Sequence, residues 1–450
     1  MSPLKITMIG TGYVGLVSGT CFAELGHTVT CIDKDEEKIA KLRQGQIPIF
    51  EEKLEEMVRH NVQQGRLTFE TNLPSAIENS DVIFIAVGTP TRPEDGSADL
   101  SYITTATKDI APFLTQYKVI VIKSTVPIGT CHIVKNSILN FNPNADFDIV
   151  SNPEFLREGS AVQDFIDPDR IIIGSESTKA RDLMNIIYNT FVEHNIPILH
   201  TDLESSELIK YTANCFLATK IAFINEIATL CEKTGANIEN VVEGIGLDKR
   251  IGKGFLQPGP GFGGSCFPKD TLALAHFART LRSPLTIVDT VIRSNEERKK
   301  LMLEKVVEAC HKNVAGKKIA ILGIAFKANT DDSRESPSLV IIEGLQRLGA
   351  TIIAYDPAVK KEKQPSFPEV IWASSAKKAL QKAEMAVIVT EWDEFKRIDF
   401  ASFNHPITIV DLRNLYDPKA MAKAGIPYFS IGRKSLVKTS KFSFQENVGL

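Results

Sequence analysis

The residues most able to do chemistry lie in the stretch Gly259-Pro260-Gly261-Phe262-Gly263-Gly264-Ser265-Cys266-Phe267-Pro268-Lys269-Asp270. A glycine loop, a cysteine, a proline and a charged pair follow one another within twelve residues. Pro268 suits the first turn of a helix, where its missing N–H has no intrahelical partner to lose. The run Thr271-Leu272-Ala273-Leu274-Ala275-His276-Phe277-Ala278 carries helical apolar spacing. Cys266 is therefore expected at or just before a helix N-terminus, where the positive end of the macrodipole favours thiolate over thiol. Most cysteines outside disulfides are buried and structural. The glycines, the helix start and the neighbouring Lys269 together favour a nucleophile.

Two further groups of polar residues stand out. Lys210 and Asn214 are one turn apart on a helix expected over residues 202–233, so they share a face. A buried lysine and amide would each need partners, whereas a lysine at the helix rim would simply snorkel to water. Ile149-Val150-Ser151-Asn152-Pro153-Glu154-Phe155-Leu156-Arg157-Glu158-Gly159 reads as a strand end and a turn, with two carboxylates and an arginine around an apolar pair. A solvated helix start would look similar, with acids in its first turn.

The glycine fingerprint comes earlier. The segment Lys5–Ile9 reads as a strand running into Gly10-Thr11-Gly12-Tyr13-Val14-Gly15, then a helix, then a strand Thr28–Ile32 ending at Asp33. Strand, glycine turn, helix, strand and acid come in the order a dinucleotide site requires. Gly10 makes the tight turn, Gly12 lets the backbone meet a pyrophosphate, and Gly15 packs helix on strand. Asp33 stands where a carboxylate would hold the adenine ribose hydroxyls and repel a 2′-phosphate, which favours NAD over NADP. Strands over residues 81–87 and 118–123 lead into Gly88-Thr89-Pro90-Thr91 and Ser124-Thr125-Val126-Pro127, at the carboxyl ends where open parallel sheets bind ligands. Such residues also favour ordinary turns, but Thr89 and Thr125 read as functional.

At 450 residues the chain has room for about three domains. A net charge of −3 with no basic block argues against nucleic acid or an anionic membrane as main partner. The seven cysteines are scattered without a CxxC pair, so neither a metal site nor a disulfide framework is indicated, and a reducing, cytoplasmic setting is expected. No signal peptide and no membrane span are expected. The long helix would cover roughly 45–50 Å. Lys220 is its one charge between Lys210 and Glu226, so most of its circumference is expected to be buried.

After the cysteine loop and helical residues 284–312, the doubly wound pattern restarts. A strand over 317–323, a helix over 336–348 and a strand Thr351–Tyr355 ending in Asp356-Pro357 are followed by strands over 386–389 and 407–410. This echo implies a second Rossmann-like domain with a broken glycine turn. The expected fold is α/β, with two Rossmann-like doubly wound domains joined by a long central helix. The boundaries read 1–200, 201–312 and 313–435, with a tail at 436–450. Arg334, in Asp331-Asp332-Ser333-Arg334, either binds a phosphate or ribose or pairs with Asp331 or Asp332.

From about residue 5 to 432 the chain resembles the UDP-glucose/GDP-mannose dehydrogenases. The resemblance rests on Gly10-Thr11-Gly12-Tyr13-Val14-Gly15, the Asn152–Gly159 motif, Lys210-Tyr211-Thr212-Ala213-Asn214, the cysteine motif and Phe326-Lys327. It implies a four-electron oxidation of a sugar C6 alcohol to a carboxylate with two NAD+ reduced, the aldehyde being held on the enzyme. It also implies Cys266 as nucleophile, Lys210 and Asn214 on the alkoxide-like oxygen, Asp270 and Thr125 on the water, and Glu154 as general acid/base. The NAD contacts it implies are Val14, Asp33, Lys38, Thr89, Thr125, Glu158, Lys269 and Arg334, beside the fingerprint glycines. The sugar-nucleotide contacts are Glu154, Phe155, Leu156, Arg157, Lys210, Asn214, Phe255, Leu256, Gln257, Pro258, Gly259, Gly263 and Lys327. Arg250 resembles an arginine reaching the substrate from a neighbouring subunit; as a bare residue it reads as a surface charge. UDP-glucose is the expected substrate, with GDP-mannose or UDP-N-acetylmannosamine as alternatives. A single-step hydroxy-acid dehydrogenase and a non-catalytic NAD-binding regulator are the readings outside the family. A homodimer through the central helix is expected.

Overall fold

A computed structural model describes residues 3–363 and 367–434, so the expected tail lies outside the described residues. The chain divides into two compact units. The first holds Met1–Phe216, Cys266–Asp289 and Asn329–Asp331; the second holds Leu217–Ser265, Thr290–Ala328 and Asp332–Leu450.

Alternating runs of β-branched residues and amphipathic helices force the first unit into a parallel sheet covered on both faces. Its strands are β1 (Lys5–Ile9), β2 (Thr28–Ile32), β3 (Leu67–Glu70), β4 (Val82–Ile85), β5 (Lys118–Ile122), β6 (Phe147–Ser151), β7 (Ile171–Gly174) and β8 (Ile198–Thr201). They lie in the order β3-β2-β1-β4-β5-β6-β7-β8. Pairing is parallel except between β6 and β7, which meet antiparallel at Ser151 and Gly174. Every residue of β4 and β5 is buried, because one apolar cluster covers each face. The order reverses between β1 and β4, the place where a doubly wound sheet opens a crevice for a ligand.

The second unit repeats the plan with β9 (Lys318–Leu322), β10 (Thr351–Tyr355), β11 (Ile371–Trp372), β12 (Met385–Ile388), β13 (Thr408–Asp411) and β14 (Tyr428–Phe429). The order β11-β10-β9-β12-β13-β14 matches the start of the first sheet, and all its pairs are parallel. Two acids play one part in the two sheets. Asp33, after β2, accepts from the Thr11 amide at 3.0 Å. Asp356, after β10, accepts from the Ile324 and Ala325 amides at 2.7 and 2.9 Å.

The long helix runs Leu203–Thr234, with Gly235 just past its end at φ 79°. Its scarcity of charge does not bury it as fully as expected. Leu208, Phe216, Phe223 and Leu230 are 44, 65, 53 and 54% exposed. Their spacing of seven or eight residues keeps them on one face, so the uncharged surface includes an outward apolar stripe. Among the described residues no helix is long and apolar enough to cross a membrane.

Candidate active site

The helix Tyr13–Glu24 starts after Gly12, which caps it without a side-chain hydrogen bond. First-turn N–H groups without such a cap are suited to an anion. A Cβ added at Gly12 would meet nothing within 4 Å, whereas one at Gly15 would lie 1.9 Å from the Gly10 carbonyl oxygen. The turn is thus closed on its helix–strand side and open where a pyrophosphate would approach, so the residues present fit a dinucleotide. Asp33 Oδ2 accepts from Thr11 Oγ1 at 2.7 Å and from Lys38 Nζ at 2.8 Å. Burial pushes this carboxyl up, but the hydrogen bonds from Lys38, Thr11 and the Asp35 amide outweigh it and hold the pKa at about 2. Thr89 Oγ1 donates to the Thr125 carbonyl at 2.8 Å, tying together the loops after β4 and β5. Val14 and Glu158 are half-buried, and Glu158 accepts from Thr330 Oγ1 at 3.3 Å.

The first half of the long helix fixes four loops in turn. Ser206 Oγ donates to the carbonyl of Ser151, at the end of β6, at 3.1 Å. Glu207 accepts from the amides of Gly129 and Cys131 at 2.6 and 2.8 Å, capping the helix Thr130–Phe141 that follows the Thr125 loop. Lys210 pairs with Glu154 at 3.3 Å. Asn214 Nδ2 donates to Asp270 at 2.6 Å. Lys210 therefore does not snorkel: it is 3% exposed, and Asp270 is 1% exposed. Burial works against the Lys210 charge, but the carboxylate of Glu154, with Cys266 and Asp270, raises its pKa above the ordinary lysine value. The second Glu154 oxygen accepts from the Leu156 amide at 2.5 Å, and Phe155 lies under the Arg170 guanidinium, 3.6 Å from the ring centroid.

Cys266 is the N-cap of the helix Phe267–Thr280, with Pro268 in its first turn, as the sequence indicated. It is the one cysteine of the seven that is not buried. Lys269 forms an ion pair with Asp270. Cys266, Lys210, Asn214, Asp270, Glu154, Thr125 and Lys269 all belong to the first unit.

Residues of the expected sugar-nucleotide loop belong to the second unit. Asn225 Oδ1 accepts from the Gly259 amide at 2.8 Å, and Arg298 Nε donates to the Gly259 carbonyl at 2.9 Å. Asn295 holds Phe262 from both sides, at 2.8 and 3.0 Å. A Cβ at Gly263 would lie 2.4 Å from the Glu335 carbonyl oxygen, and the Gly264 amide donates to the Arg334 carbonyl at 2.8 Å. These contacts stitch the loop to the segment carrying Arg334. Phe255 sits at φ 62°, a strained conformation for an aromatic residue and one that clusters at ligand sites. Leu256 and Gly259 are buried, Pro258 and Lys327 half-buried and Gln257 exposed.

Three arginines are held by nearby aspartates. The guanidinium of Arg157 binds Asp164, that of Arg250 binds Asp248 and that of Arg334 binds Asp332, at closest distances of 2.5, 2.6 and 2.7 Å. Of the two readings of Arg334, the structure contains the pairing with Asp332.

Sequence reasoning missed Lys123, Asn152, Tyr188 and Glu207. Lys123 is 3% exposed, and burial pushes its pKa down to about 8 against the pull of Glu154. A lysine ending a buried strand on the ligand side of the sheet was the available signal.

Three models of the UDP-glucose/GDP-mannose dehydrogenase family match the chain: the NAD binding domain over residues 4–192, the central domain over 204–297 and the UDP binding domain over 320–418. UDP-glucose 6-dehydrogenase of Rhizobium meliloti (strain 1021) is 50% identical over 436 residues, 96% of this chain and 100% of that protein. UDP-glucose 6-dehydrogenase TuaD of Bacillus subtilis (strain 168) is 46% identical over 438 residues, covering 96% and 94%. The solved structure of a UDP-glucose dehydrogenase from Pyrobaculum islandicum superposes with a TM-score of 0.88 at 35% identity, covering 95% of this chain and 97% of that one. Matched along nearly its whole length, the chain belongs to the UDP-glucose/GDP-mannose dehydrogenase family and is an NAD-dependent oxidoreductase.

Proposed function

We propose that the enzyme oxidises UDP-glucose to UDP-glucuronate in two successive hydride transfers, holding the half-oxidised sugar on Cys266. The observation that carries this reading is the buried cluster in which Lys210 meets Glu154 and Asn214 meets Asp270, in the same unit as a cysteine at the N-terminus of the helix whose first turn carries that Asp270. The relatives at 50 and 46% identity bear the UDP-glucose name, which favours that sugar. A UDP-D-ManNAc dehydrogenase from Pyrococcus horikoshii, with a TM-score of 0.84 at 27% identity, keeps UDP-N-acetylmannosamine as the second reading.

NAD, when bound, supplies the hydride acceptor, one NAD+ for each of the two oxidations. In the first oxidation the C6 hydroxyl proton passes to water while the hydride leaves C6, and Lys210 and Asn214 donate to the oxygen as charge builds there. The Cys266 sulfur then adds to the aldehyde carbon, and the same two donors hold the oxygen of the thiohemiacetal. Loss of a second hydride from that carbon leaves a thioester. Thr125 and Asp270 hold a water, Glu154 takes one of its protons as the oxygen adds, and the C–S bond breaks to give thiolate and a carboxylic acid that loses its proton to solvent. Gly10, Gly12, Val14, Gly15, Asp33, Lys38, Thr89, Glu158 and Lys269 serve the cofactor. Phe155, Leu156 and the loop from Phe255 to Gly263, with Lys327, serve the sugar nucleotide. Arg157, Arg250 and Arg334 each give Nε and Nη2 to an aspartate, so a guanidinium contact to a ligand would use the remaining N–H groups. The apolar stripe on the long helix supports a homodimer formed through that helix.

A panel of nucleotide sugars, with NADH counted per sugar consumed, tests the reading. Two NADH per UDP-glucose are expected. One per sugar would indicate a single-step dehydrogenase, and turnover confined to another nucleotide sugar would replace the substrate.

A further inference from the structure

Lys123 is a buried cation to which the mechanism above gives no part. It directly follows β5, and its Nζ donates to the Asn152 carbonyl at 3.3 Å and to Asn152 Oδ1 at 3.1 Å. Both acceptors are neutral. Taking an ammonium out of water without a carboxylate against it is costly, and an apolar chain of similar length would occupy the place more cheaply. Such a cost is commonly retained at functional positions.

Asn152 is held on every side. Its amide donates to the Ile122 carbonyl at 2.9 Å and its Nδ2 to the Ile172 carbonyl at 2.7 Å, while Tyr188 donates its hydroxyl to Oδ1 at 2.6 Å. The next residues are Pro153 and Glu154. A cavity of about 40 Å³ lined by Lys123, Asn152, Glu154, Phe155 and Tyr188 lies against this turn. Close packing therefore does not by itself fix the direction of Glu154: Lys210 and the Leu156 amide hold its two oxygens, and the polar ties to Asn152 hold the turn that carries it. Arg170 and Asp164 also line the cavity, but Arg170 stacks on Phe155 and Asp164 is held by Arg157. Glu154 and Lys210 are the charges that act on Lys123.

We infer that Lys123 is a positioning residue for the oxidation, fixing the Glu154 turn through Asn152 and presenting a second cation to the Lys210–Glu154 pair. The inference rests on the proposed acid/base part of Glu154. Lys123→Met keeps the length of the side chain and removes its charge and hydrogen bonds. For this variant kcat is expected to fall about tenfold or more, with KM for UDP-glucose and NAD within about threefold of wild type. The melting temperature should hold or rise, because the buried charge is gone. A wild-type kcat would overturn the inference. So would a kcat loss that comes with a lower melting temperature or a matching rise in KM, since that marks a support of the fold alone. Tyr188→Phe, which removes only the hydroxyl given to Asn152, tests the same turn independently: a kcat loss of about threefold at unchanged KM is expected, and wild-type kcat would overturn the inference. Wild-type enzyme is assayed first. Turnover of another nucleotide sugar would overturn only the substrate reading, and the Lys123 comparison is then made on that sugar.

Discussion

Lys210 Nζ and Glu154 Oε1 stand 3.3 Å apart, with side chains only 4 and 7% exposed. One turn further along the same helix, Asn214 reaches Asp270 at 2.6 Å. A single helix thus brings an ammonium and an amide donor to two buried carboxylates. Donors fixed in advance, away from water, are what an alkoxide forming beside Cys266 would need.

Lys210→Ala would strand a buried carboxylate. The unfolding free energy should drop by about 3–5 kcal/mol, and kcat should fall by about a hundredfold or more. The double variant Lys210→Met, Glu154→Leu should recover most of the stability and none of the activity. Chemical denaturation and steady-state kinetics on the same preparations check both.

Lys123 gives a pH signature in stability. Burial lowers its pKa from 10.5 to about 8 in the folded chain, so the unfolded state binds more protons between those values. The penalty is fully present below pH 8 and is relieved as the pH rises toward 10.5. Lys123→Met should therefore be more stable than wild type near pH 7, and the advantage should shrink by pH 10. Urea unfolding of both proteins across that range measures it.

Asp33 has the opposite sign. Its folded pKa of about 2 lies below the ordinary 3.8, so its stabilising contribution is present above pH 3.8 and lost as the pH falls toward 2. Replacement by asparagine should cost on the order of 2 kcal/mol at neutral pH. The difference between Asp33→Asn and wild type should narrow below pH 4 in acid titrations of stability. KM for NAD should rise about tenfold in the same variant if Asp33 holds the ribose as proposed.

Much of this was legible because it is local. The bounds of β1, β2 and β10 follow directly from β-branched runs that end at a glycine turn or an acid. Cys266 at a helix N-cap follows from Pro268 and the apolar period behind it. The second sheet announced itself by repeating the first. What could not be read depends on distant partners. The antiparallel switch from β6 to β7 rests on one pairing, Ser151 with Gly174, that no local pattern encodes. Lys123 looks like a charged strand flank, and only the Asn152 turn after the neighbouring β6 turns it into a buried cation. Glu207 caps a helix more than 70 residues away, at Gly129 and Cys131. The apolar stripe of the long helix was misread because a lack of charge looks the same on a buried face and on one turned outward. The aspartates two residues before Arg250 and Arg334 were visible, and the structure joins each pair.

That stripe makes its own prediction. Light scattering should find a dimer for the wild-type chain, and Phe216→Glu combined with Phe223→Glu should give a monomer, since two buried charges without partners would oppose association. A wild-type monomer at micromolar concentration would exclude the helix as an interface.

The most direct measurement compares Cys266→Ala with wild type, following UDP-glucuronate and NADH together. Wild type should release two NADH for each UDP-glucuronate formed, and the alanine variant should form that product at least about a thousandfold more slowly, for want of the sulfur that traps the aldehyde. An alanine variant that makes UDP-glucuronate at the wild-type rate would contradict a cysteine-bound intermediate.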